Sequence, residues 1–116
     1  MFSEPAPHVS KQLIRLVQIS IENGGWEKIT PRRKQLLALH LVDGLNYHQI
    51  GDELGISTQS VSHTLKPVPT ELFSSTVLGI IRQPISINEK AEKTQELADV
   101  YTEYQKSLVH KKRDKV

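Results

Sequence analysis

The chain of 116 residues has no cysteine, which excludes disulfides and thiolate-held metals. Aromatic residues make up only 5%, so any core must be built mainly from Leu, Ile and Val. No apolar run approaches the roughly 18–20 residues that a membrane span needs. The start Met1-Phe2-Ser3-Glu4-Pro5 lacks the basic-then-apolar pattern of a secretory signal, so a cytoplasmic location and no membrane partner are expected. The five histidines, His8, His40, His48, His63 and His110, show no i, i+4 spacing, and no metal or other cofactor is expected. No Ser-His-Asp set, carboxylate pair or phosphate loop stands out, and Gly24-Gly25 reads as a hinge or cap. An enzyme is therefore not expected.

Strong charge of either sign is also missing, since the net charge is +2. Residues 25–70 carry Lys28, Arg32, Arg33, Lys34 and Lys66 against Glu27, Asp43, Asp52 and Glu53. Residues 106–116 are more lopsided, with Lys106, Lys111, Lys112, Arg113 and Lys115 against Asp114 alone. Such a tail attracts phosphates, or equally complements the negative pole of a helix end.

Helical punctuation runs through most of the chain. Residues 1–8, with Pro5 and Pro7, read as a loose arm. From 9 to about 23, apolar residues recur at spacings of three and four, which predicts a helix closed by Gly24-Gly25. Thr30-Pro31 is an N-cap followed by proline at the first helical position, opening a helix to about Asp43 with Gly44 behind it. Asn46 caps a short helix ending near Leu54, Gly55 suits a tight turn, and Ser57 caps a helix from Thr58 to about Lys66. Pro67 and Pro69 are expected to stop it.

The stretch 70–88 reads two ways. Glu71 to about Gly79 suits a helix capped by Thr70, whereas 77–87 also suits one or two short strands; helix first and a short extended piece after it is the preferred order. Asn88 then caps a last helix to about Lys111, in which Leu97, Tyr101, Tyr104 and Leu108 form a narrow seam of the kind that receives a partner helix.

Residues 46–66 meet the requirements of a helix-turn-helix. Ile50, Leu54, Ile56, Val61 and Leu65 supply the apolar lock, and Gly51 sits where a side chain would obstruct the close approach of the two helices. With Val61 and Leu65 inward at i, i+4, Thr58, Gln59, Ser62, His63 and Lys66 turn outward. These are donors and acceptors that suit base edges and phosphates.

Residues 29–65 resemble the DNA-reading part of bacterial sigma factors that binds the −35 element, and are similar to LuxR-type output domains. The phrases Ile29-Thr30-Pro31-Arg32, Asp43-Gly44-Leu45-Asn46-Tyr47 and Leu54-Gly55-Ile56-Ser57 carry the likeness. The resemblance implies a compact helical domain whose last helix enters the major groove, with Thr58, Gln59, Ser62, His63 and Lys66 facing it. It also implies that Arg32, Arg33 and Lys34 meet the phosphate backbone. Neither a promoter-melting region nor a receiver domain accompanies the motif, so a complete sigma factor or a typical LuxR-type regulator is not expected.

The expected architecture is all-α, with an arm at 1–8, a DNA-binding domain at 9–75, a connector at 76–88 and a C-terminal helix and tail at 89–116. The expected function is sequence-specific DNA binding, as a repressor that docks on a palindromic operator as a homodimer through Leu97, Tyr101, Tyr104 and Leu108. The alternative is a sigma-like interaction protein that binds RNA polymerase, a sigma factor or another regulator. A near-neutral reading head and a recognition helix without arginine keep that alternative open.

Overall fold

A computed structural model describes the backbone of residues 9–114 and the side chains of 9–108. The arm expected at 1–8 and the basic side chains Lys111, Lys112, Arg113 and Lys115 lie outside the described residues. The described chain is all-α: α1 (Lys11–Glu22), a 3-10 turn (Trp26–Lys28), α2 (Pro31–Leu41), α3 (Tyr47–Leu54), α4 (Thr58–Leu65), α5 (Val68–Ile81) and α6 (Ile87–Asp114).

Side-chain caps set the starts of the first four helices. Ser10, Thr30, Asn46 and Ser57 each accept a hydrogen bond from the N–H three residues on, satisfying a donor that the helix itself leaves unpaired. Asn46 goes further, because the Gln49 side chain returns to its backbone N–H at 2.9 Å and completes a capping box.

Two expectations change in the second half. Among the described residues there is no strand; α5 continues through the β-branched stretch to Ile81, so the connector predicted at 76–88 shrinks to a short turn before α6. Val77, Ile80 and Ile81 favour strands in isolation, but burial of Leu72, Thr76 and Ile80 along one helical face decides the matter. Pro67 and Pro69 do end α4, yet they also open α5, with Pro69 in its first turn where no N–H is required. The cap of α6 is Ser86 rather than Asn88, since Ser86 Oγ accepts from the Glu89 N–H at 3.1 Å.

One core joins the elements. Leu16, Leu36, Ile50, Val61, Val68, Leu72, Ile80 and Leu97 are fully buried within it. α1 packs against both α5 and α6, and α5 packs against α6. The 23–25 corner lies against α5 at backbone distance. A Cβ on Gly79 would sit 2.0 Å from the Asn23 carbonyl oxygen, and one on Gly25 would sit 2.3 Å from Thr76 Oγ1. Asn23 then receives Gln83 Nε2 at 2.7 Å, and Lys93 donates to Gln83 Oε1 at 2.8 Å, linking α1, the 82–86 turn and α6. Arg15 and Glu96 pair across α1 and α6.

This packing occupies the seam of α6 within the chain. Leu97 belongs to the core, Tyr101 stacks on Phe73 with ring centroids 4.7 Å apart, and Tyr101 Oη lies 2.9 Å from Thr70 Oγ1. Tyr104 is half-buried, and burial followed by the neighbouring phenols Tyr47 and Tyr101 raises its pKa above the usual 10.0. Of the four seam residues, Leu108 alone is left exposed.

Candidate nucleic-acid interface

α3 and α4 meet through Ile50, Gly51, Val61 and Leu65, all buried. The turn between them folds back on Gly51. Its carbonyl accepts from the N–H groups of Gly55 and Ile56, the latter at 2.9 Å, and Gly55 adopts φ +68°. A Cβ on Gly51 would lie 2.6 Å from the Ile56 carbonyl oxygen, so glycine is required there by space and at Gly55 by conformation.

α4 has eight residues, about 12 Å of helix, comparable to the width of the major groove. Thr58, Gln59, Ser62, His63 and Lys66 are all exposed along it. Among the described residues, the side chains of Gln59, Ser62, His63 and Lys66 have no hydrogen-bond or ion-pair partner, leaving their donors and acceptors open to a ligand. Thr58 Oγ1 lies 3.4 Å from His48 Nδ1, and His48 Nε2 lies 3.5 Å from Asp52 Oδ2. His48 and Asp52 thus join the exposed surface beside α4. Nothing in the sequence separates them from ordinary polar residues, because the turn alone brings positions ten apart together.

The basic cluster at the start of α2 divides in the structure. Arg32 is exposed and bonds only neutral Gln35, at 3.1 Å. Arg33 is half-buried and donates to both oxygens of Glu71, at 2.7 and 2.6 Å, tying α2 to α5. Lys34 Nζ sits 5.5 Å from the centre of the Trp26 ring, a cation–π contact. Of the three, Arg32 is the one held by no charge or aromatic ring. Replacing Arg33 with alanine is expected to reduce stability by about 0.5–1 kcal/mol, since the pair is partly solvent-screened. The salt dependence of DNA binding should barely change, because Glu71 already neutralises the guanidinium; thermal melts and salt titrations check both points.

His40 is 8% exposed. Its Nδ1 lies 2.7 Å from the Leu45 carbonyl oxygen and its ring meets Tyr47 edge-on, so it braces the loop that enters α3.

Residues 27–66 match the sigma-70, region 4 family. That segment is a helix-turn-helix DNA-binding region, and it ends at the last outward residue of α4. The region 4 segment covers about a third of the chain. It takes in the 3-10 turn, α2, α3 and α4, while α1, α5 and α6 lie outside it. No curated protein and no solved structure matches the chain significantly.

Proposed function

We propose that this chain is a sequence-reading transcription regulator that places α4 in the major groove. The observation that carries the reading is the row Gln59, Ser62, His63 and Lys66, exposed and without partners among the described residues, on the second helix of the helix-turn-helix in the segment that matches region 4. Gln59 suits the bidentate pattern of adenine, and Lys66 suits guanine or a phosphate. Acting on the chromosome, such a regulator works in the cytoplasm.

One eight-residue helix offers few base contacts, and a good bidentate contact discriminates by only about 1–3 kcal/mol. Two copies on a palindromic operator supply the remainder, and occupancy of a promoter by such a pair represses it. Leu97, Tyr101 and Tyr104 are engaged within the chain, so the surface for that pairing includes other residues.

The test is fluorescence anisotropy with DNA from upstream of the chain's own gene against shuffled DNA. Wild type should prefer the upstream fragment. Gln59→Ala should reduce that preference roughly tenfold while retaining nonspecific binding. Equal losses on both fragments would rule out base readout by Gln59.

A second reading has its own support. Val17, Ile21, Trp26, Leu37, Ala38, Leu41 and Val42 line an apolar groove of about 180 Å³ between α1 and α2, with Ile21 41% and Val42 60% exposed. A groove of this composition suits an amphipathic helix of another transcription protein such as RNA polymerase. DNA binding seen only in the presence of polymerase would favour this reading.

A further inference from the structure

The close approach of α5 to the 23–25 corner creates a second surface, outside α4. Because Gly79 and Gly25 carry no Cβ, the C-terminal half of α5 lies directly against the turn. Lys28, from the 3-10 turn, and Arg82, which caps α5, thereby line one cavity of about 300 Å³ with Gly24, Ser75, Leu78 and Gly79. Among the described residues, no acidic side chain lines it.

Both cations are exposed, and among the described residues neither side chain has an ion-pair or hydrogen-bond partner. Several other cations of the fold are held: Arg15 by Glu96, Arg33 by Glu71, Lys90 by the Ile81 carbonyl and Lys93 by Gln83. A concave site with a guanidinium fork, an ammonium group, a serine hydroxyl and no carboxylate is suited to phosphate oxygens.

We propose that this cleft holds phosphates of the DNA backbone, adding a nonspecific contact to the one made by α4. The inference rests on the DNA-reading function proposed above. Continuity favours duplex over a small free anion. Lys28 lies four residues before Arg32, the exposed cation at the first turn of α2, so the chain runs from the cleft straight into the segment that carries the reading head. α5 starts directly after Lys66 and Pro67, and its 14 residues extend about 20 Å to Arg82. A duplex carries one phosphate charge per roughly 1.7 Å of axis, so its backbone offers many partners over that reach.

The experiment is a salt titration of anisotropy on one duplex for wild type, Lys28→Ala/Arg82→Ala and Gln59→Ala. Two exposed side chains are removed, so thermal melts of the double variant should match wild type. Its plot of log affinity against log salt should be shallower by about 1–2, with affinity on the order of tenfold lower near 0.1 M salt. Its preference for upstream over shuffled DNA should persist, whereas Gln59→Ala should lose preference and keep the slope. An unchanged slope and affinity for the double variant, with wild type binding normally, overturns the cleft and leaves the α4 reading intact. Wild type that binds no duplex at any salt overturns both. Inorganic phosphate that shifts the amide resonances of Gly24, Ser75 and Gly79, together with an unchanged slope, makes the cleft a free-phosphate site and overturns the duplex assignment.

Discussion

Gly51→Val is expected to collapse the reading head while leaving helical content largely in place. Any Cβ at position 51 meets the Ile56 carbonyl oxygen at 2.6 Å, and valine adds two more carbons. That oxygen belongs to the turn backbone, so α3 and α4 must separate. Overpacking of this kind costs about 1–3 kcal/mol. Separation also weakens the bonds that Gly55 and Ile56 donate to the Gly51 carbonyl, worth about 1 kcal/mol each. A total of about 3–5 kcal/mol corresponds to roughly a hundredfold or more in DNA affinity if the lost energy falls on the orientation of α4.

Gly55→Ala is the informative companion. Nothing lies within 4 Å of a Cβ there, but φ is +68°, so the cost is conformational alone, about 1–2 kcal/mol. Thermal denaturation and anisotropy should therefore rank Gly51→Val well below Gly55→Ala, and Gly55→Ala below wild type. Equal behaviour of the two variants would remove the steric role assigned to Gly51.

The ranking also marks what was legible from sequence. Residues 30–66 were readable because local chemistry and tertiary packing agree there. Thr30-Pro31, Asn46 and Ser57 each name a helix start, and Gly51, Val61 and Leu65 name the buried face. The outward placement of Thr58, Gln59, Ser62, His63 and Lys66 follows from helical geometry once Val61 and Leu65 point inward.

Legibility failed where contacts span the chain. Nothing near Arg33 in sequence announces Glu71, 38 residues away, so a charge that reads as a phosphate contact is held internally. The 77–81 stretch has strand-forming side chains, and burial of the helical face that carries Leu72, Thr76 and Ile80 makes it helix. From sequence, Gly79 marks only the approximate end of the helix that starts at Glu71. In the fold it is the residue that lets α5 approach Asn23, and so the residue that brings Lys28 and Arg82 to one cleft. The α6 seam presents a different ambiguity. A four-three-four spacing specifies that a partner helix exists, not which chain supplies it.

Leu97→Ala resolves that ambiguity with the second large effect. Leu97 is 0% exposed, in a core shared with α1 and α5. Truncating a buried leucine costs about 2–5 kcal/mol, because packed neighbours refill the cavity only in part. In a chain of this size that lowers the melting temperature by on the order of 10 °C or more. If the leucine seals one chain's own core, the loss is the same at every protein concentration, and the variant sediments with the mass of wild type. A seam between two chains behaves otherwise: wild-type melting temperature rises with concentration by mass action, and truncation lowers the sedimenting mass as well as the stability. Melts over a hundredfold range of concentration, paired with sedimentation velocity, separate the cases. The contacts of Tyr101 with Phe73 and Thr70 argue for the first outcome, since they already fill the side of α6 that a second copy would need.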